Sequence, residues 1–296
     1  MKNDSNTDSN GNDVVCIGSS ALDFVFLLDD FPSPDQISLA YWSKQFCGGS
    51  SANVAVGVSR LGLYSGLISK VGKDSEGVSI LNKLISEGVD IRPVKIGGRT
   101  ARTVVLLTKE GEKTIVADTE CVLQSEEEVP VKYLEQAKAV YIGDCFLPVA
   151  EKAVNVAQKC GLKSFVRLRN VHISPGLNIE SIISKADYVI MNEKTSSLIA
   201  ARGDNFIITK GRKGCYYEED DIQVEGIPVQ SVDTTGAGDA FCAGFMYQIV
   251  KGSSLERALE FGNATGAVST TKYGAMDSMP RREEVELLVR RAGLIV

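Results

Sequence analysis

Asp233-Thr234-Thr235-Gly236-Ala237-Gly238-Asp239 leads directly into an apolar, helix-compatible run over residues 240–245. Gly236 and Gly238 allow the backbone to approach a ligand closely, because no Cβ stands in the way. The free N–H groups of a helix that begins here, with its positive dipole end, form an anion site. A carboxylate repels an anion, so we interpret Asp239 as a base that takes a proton from a hydroxyl while the amides stabilise a phosphoryl group. The alternative is a glycine-rich turn with an Asp cap.

Length and composition limit the classes of function. The chain has 296 residues, of which 44% are hydrophobic, enough for one large α/β domain with an appendage or for two modest domains. Its net charge of −6 argues against a nucleic-acid partner. The seven cysteines include no CxxC pair and indicate reduced thiols, so we expect a cytoplasmic protein.

The chain shows no sign of a targeting or membrane segment. Residues 1–13 are nearly all polar and are predicted to be a disordered tail, since they lack the apolar region of a signal peptide. No apolar run approaches the roughly 18 residues that a membrane-spanning helix requires, so no membrane span is expected.

Strands and helices alternate through most of the sequence. Short apolar runs predict buried strands at 14–18, 140–143, 164–168, 188–191 and 206–209. Helical patterns are found at 51–61, 150–159 and 179–185, and begin again at about 237, 255 and 283. The alternation predicts a three-layer α/β/α sandwich with a mostly parallel central sheet.

Two β-rich insertions interrupt this alternation, at about 24–47 and 95–118. The second contains a hairpin pattern, with strands at 102–108 and 113–117 around Lys109-Glu110-Gly111-Glu112. We predict that the insertions form a small β-sheet lid on a single domain of residues 14–296. The exposed apolar surface around Tyr41 and Trp42 predicts a homodimer formed through the lid.

Several common catalytic patterns are absent. The segment from Gly66 to Asp74 has the wrong spacing for a P-loop, and no G-x-G-x-x-G follows the first strand. The single histidine, His172, argues against a Ser-His-Asp site and against a multi-histidine metal site.

A second glycine-rich element, Gly48-Gly49-Ser50-Ser51-Ala52-Asn53, precedes the first predicted helix. Its glycines permit close backbone approach, and Asn53 offers a donor and an acceptor to a hydroxyl. On its own, the element equally fits an ordinary helix N-terminus.

Together, in this order, the two elements resemble the signatures of the ribokinase-like, or PfkB, carbohydrate kinases. Residues 233–239 match the C-terminal signature, and residues 48–55, with Gly62 and Gly72 downstream, are similar to the N-terminal one. Ser51 departs from the Gly, Ala or Pro that is usual there. The resemblance runs from about residue 14 to 293 and implies ATP-dependent phosphoryl transfer to the hydroxymethyl group of a sugar or nucleoside.

The resemblance assigns the catalytic and acceptor residues. Asp239 is the implied base, and the implied anion hole is Gly236, Ala237 and Gly238. The residues implied to contact the acceptor are Asp23, Gly49, Asn53, Asp144 and Asp239. The ribose-specific members of the family carry Asn two residues before the equivalent of Asp23; Ala21 stands there and argues against free ribose.

The resemblance also implies sites for ATP, Mg²⁺ and K⁺. The implied nucleotide contacts are Asn192, Thr209, Lys210, Gly211, Lys213, Gly214, Gly238 and Asn263. The family's Asn-x-x-Glu motif reads Asn192-Glu193-Lys194-Thr195 here, so the acid near Mg²⁺ is replaced by Thr195. The residues implied around a monovalent cation are Asp233, Thr235, Ser269, Lys272, Gly274 and Ser278.

Arg167 and Arg169 occupy a strand end where many family members carry Asp and Asn. Together with Arg99 and Arg102 near the lid, they either bind a phosphate on the substrate or lie in a solvated loop. The alternatives within the family are therefore a nucleoside kinase and a phosphosugar kinase. The alternative from another class is a non-catalytic sensor of a sugar or nucleotide.

Overall fold

The computed structural model describes residues 11–118, 120–169, 179–199 and 203–294. Most of the predicted tail, residues 1–10, and His172 lie outside the described residues. Two residues of the predicted tail are hydrogen-bonded to the domain. Asn12 Nδ2 donates to Tyr133 Oη at 2.6 Å, and Asp13 Oδ2 accepts from the Tyr64 amide at 3.0 Å.

The strands form three sheets. In chain order, the strands of the described residues are β1 (Val14–Ile17), β2 (Ala21–Leu28), β3 (Trp42–Gly48), β4 (Ser65–Ile68), β5 (Lys70–Val71), β6 (Lys95–Ile96), β7 (Ala101–Thr108), β8 (Lys113–Asp118), β9 (Ala139–Ile142), β10 (Lys163–Arg167), β11 (Tyr188–Asn192), β12 (Phe206–Thr209), β13 (Cys215–Tyr217) and β14 (Ile222–Val224).

The central sheet has eight strands in the order β14-β13-β12-β11-β10-β9-β1-β4. The pairs from β12 to β4 are parallel, whereas β13 and β14 are added antiparallel at one edge. Side chains alternate between two cores: Val14 and Cys16 of β1 face one core, and Val15 and Ile17 face the other. The predicted mostly parallel sheet is confirmed.

Helices cover both faces of this sheet. In chain order, those of the described residues are α1 (Ser50–Arg60), α2 (Ser75–Ser86), α3 (Val131–Leu134), α4 (Leu147–Cys160), α5 (Glu180–Ile183), α6 (Glu193–Ser196), α7 (Ala237–Val250), α8 (Leu255–Ser269) and α9 (Arg282–Arg291). One core contains residues of α1, α2, α7, α8 and α9, and the other contains residues of α4 and α5. This arrangement is the predicted three-layer sandwich.

Helix α7 is apolar around most of its circumference and is buried from Asp239 to Gln248. A helix with no polar face has to be covered on all sides. It packs between the sheet, where Phe245 meets Phe165 at 5.8 Å between ring centroids, and helices α1 and α8. Its first turn is therefore fixed by packing along the whole helix.

The predicted lid is a separate four-stranded sheet in the order β3-β2-β7-β8. Strands β2 and β7 are parallel, and each outer strand is antiparallel to its neighbour. The lid contacts the main body through Trp42, whose ring lies 5.4 Å edge-on from that of Tyr273, and through Phe46, which packs on Gly274.

The structure differs from the sequence-based assignment in the first insertion and in several elements that were not predicted. Strand β3 begins at Trp42, and residues 37–41 of the first predicted insertion are exposed and outside any strand. The elements that were not predicted include α2, α3, β4, β5 and the edge hairpin β13–β14. Within the described residues, no helix combines the length and apolar character needed to cross a bilayer.

Candidate active site

The N-terminus of α7 presents unpaired backbone donors. Gly236 is its N-cap, with a φ of 81°, and a Cβ there would lie 2.9 Å from Ala275 Cα. Only glycine adopts this conformation in such a space without strain. Among the described residues, the amide groups of Gly236 and Gly238 have no hydrogen-bond acceptor, whereas Ala237 donates to Thr234 O at 3.3 Å. Two of the three predicted anion-hole amides are thus free to bind a ligand.

The Asp239 carboxylate lies one residue beyond this turn and is 3% exposed. Its Oδ1 accepts from Ser50 Oγ at 2.8 Å and from Arg169 Nη2 at 3.1 Å, and its Oδ2 accepts from Asn53 Nδ2 at 2.9 Å. Arg169 is the most exposed of these partners, with 36% of its side chain accessible. Among the described residues Oδ2 accepts only from Asn53, so an acceptor hydroxyl that donates to Asp239 either uses this oxygen or takes the place of Arg169 at Oδ1.

The first turn of α1 reaches Asp239 because the Gly48-Gly49 pair lets the chain pass close to β2. A Cβ on Gly48 would lie 2.1 Å from Asp23 Oδ2, so only glycine allows the strand to pass this carboxylate. Asn53 is 3% exposed, and its Oδ1 has no hydrogen-bond partner in the described structure. A buried, unpaired amide oxygen beside Asp239 is a natural partner for a ligand hydroxyl.

Asp23 lies on the lid strand β2 and faces the same site. It is 7% exposed, and its Oδ1 accepts from Thr103 Oγ1 at 2.5 Å. Burial raises the pKa of Asp23 to about 6, with the negative charge of Asp239 adding to the effect and the Thr103 hydrogen bond opposing it. The carboxylate is therefore costly to keep ionised until a ligand donates to it.

Arg167 is almost enclosed by the first turn of α7. A Cβ on Gly238 would lie 2.2 Å from Arg167 Nη2, so this glycine makes room for the guanidinium. Arg167 Nη1 donates to Cys242 Sγ at 3.3 Å and lies 3.6 Å from Asp239 Oδ1, while its Nε has no partner within the described ranges. The solvated-loop alternative does not describe this side chain, which is only 13% exposed.

Arg169 connects two of the predicted acceptor residues. Its Nε lies 3.2 Å from Asp144 Oδ1, and its Nη2 bonds Asp239. Arg99 and Arg102 do not join this pair. Arg99 pairs with Asp118 at 2.7 Å and Arg102 with Glu76 at 2.5 Å. The cluster thus contains two of the four arginines considered from the sequence.

Lys113 was not predicted from the sequence. It begins β8 on the lid, and its Nζ lies 3.4 Å from Thr234 Oγ1. Thr234 belongs to the turn of residues 234–238 that is predicted to form the anion hole, and we refer to this turn as the anion-hole turn. Lys113 is an exposed residue, but the protein around its ammonium group partly desolvates it and lowers its pKa, while the charges of Asp233 and Asp239 oppose that effect. The hairpin that contains Lys113 was predicted from the sequence, but the face of the hairpin that meets the main body was not.

The predicted nucleotide residues follow the carboxyl ends of β11 and β12. Gly211–Lys213 forms a short 3₁₀ turn closed by a hydrogen bond from the Lys210 amide to Gly214 O at 2.8 Å. Asn263 on α8 donates to Val224 O at 3.2 Å. Asn192 caps α6 by accepting from the Thr195 amide at 2.8 Å. Within the described ranges, no group of three or more His, Cys, Asp or Glu side chains is arranged to hold a metal ion.

Asp233 holds together the two segments predicted to surround a monovalent cation. It is 2% exposed, and its oxygens accept from the amides of Thr235 at 2.8 Å and Gly274 at 3.0 Å. The other predicted residues make separate contacts: Ser269 donates to Gly266 O, Ser278 to Ala275 O and Lys272 to Glu284. The 270–278 loop is thereby fixed against the anion-hole turn.

Comparison with known proteins identifies the family to which the chain is similar. A model described as "pfkB family carbohydrate kinase" matches residues 12–282. The chain is 31% identical over 326 residues to the probable chloroplastic fructokinase-6 of Arabidopsis thaliana, covering 94% of this chain and 83% of that protein. It is 30% identical over 294 residues to the ribokinase of Bacillus subtilis strain 168, covering 93% and 99%. A nucleoside kinase of Methanothermobacter thermautotrophicus is 26% identical over 289 residues, covering 92% and 94%.

Solved structures share the fold. The Arabidopsis thaliana ribokinase complexed with ribose and ATP has a TM-score of 0.79 at 22% identity, covering 95% of this chain and 99% of that chain. A putative ribokinase II from E. coli, in complex with ATP and Mg²⁺, has a TM-score of 0.81 at 24% identity, with the same coverage. At these identities the likeness establishes the architecture.

Proposed function

This chain belongs to the pfkB family of carbohydrate kinases, and from this membership we propose that it transfers the γ-phosphoryl group of ATP to a hydroxymethyl group of a sugar or sugar derivative. One observation carries the proposal: the buried Asp239 carboxylate lies beside the Gly236 and Gly238 amides, which have no protein acceptor among the described residues. A base and an anion site on one helix turn are what transfer to an alcohol requires.

In the proposed reaction, Asp239 accepts the proton of the acceptor hydroxyl while the hydroxyl oxygen forms the new bond to phosphorus. The bond between that phosphorus and the bridging oxygen of ADP breaks in the same displacement. The Gly236 and Gly238 amides donate to the equatorial oxygens of the phosphoryl group, with the positive end of the α7 dipole behind them. The Lys113 ammonium, 3.4 Å from Thr234 Oγ1, adds positive charge from the lid side.

The acceptor is proposed to lie between the lid and α1. The unpaired Asn53 Oδ1 would accept from one hydroxyl, and Asp23 would accept from another. Gly49 and Asp144 complete the acceptor contacts that the sequence implies. Ala21 is 4% exposed and packs with Ala101 and Cys121, so it offers no polar contact to free ribose.

ATP is proposed to lie along the ends of β11 and β12, against the 3₁₀ turn and Asn263. Mg²⁺, when bound, would neutralise charge on the nucleotide phosphates. Of the implied motif, Asn192 is exposed at the end of β11, Thr195 is buried, and Glu193 is exposed on α6. A donor set this sparse fits a Mg²⁺ ion held mainly by phosphates and water, with Asn192 as the contribution of that motif.

A monovalent cation such as K⁺ is proposed beside the anion-hole turn. The Asp233 carboxylate fixes the segments around Thr235 and Gly274 side by side, and backbone carbonyl oxygens of these segments are proposed as hard ligands of the cation. The role of the monovalent cation would be to add positive charge behind the amides of residues 236–238.

A homodimer is proposed to form through the outer face of the lid. Phe24 and Phe26 are partly exposed there, and Val104 and Val116 are 38% and 64% exposed. These side chains share one face because β2, β7 and β8 pair in register at Phe24, Val104 and Val116. An apolar sheet face of this kind is a common contact between copies of a chain.

Release of ADP measured across a panel of sugars, sugar acids, sugar phosphates and nucleosides tests the proposed function. The expected result is acceptor-dependent ADP formation, with a phosphomonoester product, for at least one sugar. Turnover confined to nucleosides would favour the nucleoside-kinase alternative. Binding of a sugar or nucleotide without ADP formation anywhere on the panel would contradict the proposal and favour a sensor.

A further inference from the structure

The acceptor side of the site contains two guanidinium groups that share one carboxylate. Arg169 Nη2 lies 3.1 Å from Asp239 Oδ1, and Arg167 Nη1 lies 3.6 Å from the same oxygen. The longer distance is outside hydrogen-bond range. Arg167 is only 13% exposed, and it donates to the Cys242 thiol, a weak acceptor. Among the described residues, the buried charge of Arg167 is therefore compensated mainly by this longer ion pair with Asp239.

Arg169 borders the position that an acceptor enters. It joins Asp144 and Asp239, which are both predicted to contact the acceptor. A hydroxyl that donates to Asp239 Oδ1 competes with Arg169 Nη2 for that oxygen. Because 36% of the Arg169 side chain is accessible, a ligand can contact it from solvent.

The nature of the acceptor decides whether this displacement is costly. A neutral sugar that displaced Arg169 from Asp239 would return no negative charge to it, and its contact with Asp144 would remain. Weakening a partly buried ion pair without replacing the lost charge is unfavourable. An acceptor with its own carboxylate or phosphate would replace the displaced partner, and the planar guanidinium fork matches both groups.

We propose that the acceptor of this enzyme carries an anionic group, a carboxylate or a phosphate, which binds Arg169 and lies within the positive field of Arg167 while its hydroxymethyl group meets Asp239. This inference rests on the proposed kinase function and names its substrate class. The lid supports it from the opposite side, because Lys113 adds a third cation over the same turn.

The test compares matched acceptors and two arginine variants. The acceptors are gluconate with glucitol, and fructose 6-phosphate with fructose, within a wider set of sugar acids and sugar phosphates paired with neutral counterparts. The variants are Arg169→Gln and Arg290→Gln. Arg290 is a control because it forms an arginine–glutamate contact, with Glu286 at 3.7 Å, on the surface of α9.

Two readouts are measured, kcat/KM from ADP release and calorimetric binding of each acceptor with ADP and Mg²⁺ present. The wild type is expected to prefer the anionic member of a pair. Arg169→Gln should lower kcat/KM for that member by about 10- to 100-fold more than for its neutral counterpart, as loss of a charge-assisted hydrogen bond predicts. Arg290→Gln should leave the preference as it is. An effect in the sugar-acid pairs identifies the anionic group of the acceptor as a carboxylate, and an effect in the sugar-phosphate pairs identifies it as a phosphate.

Failure of the inference and failure of the proposed function give different results. ADP formation that favours the neutral members, or equal losses for both members in Arg169→Gln, would overturn the inference and leave the kinase function standing. An anionic sugar that binds the wild type, loses affinity in Arg169→Gln and yields no ADP would remove the kinase function and leave the anionic subsite standing. Absence of binding by every anionic acceptor would overturn the inference.

Discussion

At the level of single residues, the site is an arrangement of charges around one carboxylate. Asp239 was identified from the sequence because its position after a glycine turn has a clear chemical meaning. Its partners Ser50 and Arg169 were not identified as such, because their contacts join residues 189 and 70 positions apart in the chain. A motif predicts the residues that lie within it, and it says little about the side chains that tertiary packing brings to it.

Asp23 provides a test of the electrostatics through stability. Burial disfavours the charge and raises the pKa of Asp23 from the ordinary aspartate value of 3.8 to about 6 in the folded protein. The folded state therefore binds this proton more tightly, and the contribution of Asp23 to the free energy of unfolding falls as the pH rises from about 4 to 6. The difference between the two pKa values corresponds to about 3 kcal/mol at most.

Asp23→Asn is expected to stabilise the ligand-free protein at pH 7.5 and to have a smaller effect at pH 4.5, since Asn cannot ionise and can still accept from Thr103. Urea unfolding of both proteins at the two pH values measures this difference, and the titration of all other groups cancels in the comparison. A stability difference that is the same at both pH values would contradict the assignment of a raised pKa to Asp23.

At the level of secondary-structure elements, hydrophobic periodicity predicted most of the parallel strands and missed β4. The runs at 188–191 and 206–209 match β11 and β12 closely because these strands are buried on both faces. Helix α2 was missed although its N-cap Asp74 accepts from the Gly77 amide in the ordinary way. The edge strands β13 and β14 have only three residues each, which is too short for a reliable pattern.

The orientation of the lid could not be predicted from its sequence. Alternation places Lys113 and Leu107 on one face of the β7–β8 hairpin, where the two residues are paired. Only packing of the lid on the main body, through Trp42 and Phe46, turns that face toward the anion-hole turn. The functional role of a lid residue therefore depends on tertiary contacts.

Lys113→Met is expected to lower kcat/KM for ATP by about 10- to 100-fold, because the substitution removes a preorganised cation near the transferring phosphoryl group. The global stability should change little, since the hydrogen bond between Lys113 and Thr234 is long, at 3.4 Å, and therefore weak. Steady-state kinetics and thermal unfolding measure the two effects.

Lys109→Met is the matched control, because Lys109 lies on the same hairpin and pairs with Asp29 at 2.9 Å, away from the anion-hole turn. Equal losses of activity in the two variants would indicate that the hairpin responds only to its total charge, and the role of Lys113 would have to be withdrawn.

In the molecule as a whole, the central sheet and α7 form a rigid base and the lid covers it. The architecture was predicted from the order of strands and helices, since a parallel sheet requires crossover helices on both faces. The contact between the lid and the base was not predicted, because it depends on a few side chains, such as Trp42 and Tyr273, that come from distant segments of the chain.

Val116→Asp tests the proposed homodimer. Val116 is 64% exposed on the outer face of the lid, so Asp there costs little in an isolated chain, whereas an apolar interface would have to bury an unpaired charge. Light scattering after size-exclusion chromatography should give about twice 31.8 kDa for the wild type and a shift toward 31.8 kDa for the variant. A wild type that is monomeric at all concentrations would contradict the proposed dimer.

The decisive experiment on the mechanism is the rate of phosphoryl transfer by Asp239→Asn, with an acceptor that the wild type phosphorylates. Asn cannot accept the proton, but its Oδ1 can still accept from Ser50, and its Nδ2 can donate to Asn53 Oδ1 once the Asn53 amide has flipped. If Asp239 is the base, kcat falls by about 10²- to 10⁴-fold while the affinities for ATP and for the acceptor change little. A variant that retains nearly full kcat would show that another group takes the proton, and the proposed mechanism would be wrong.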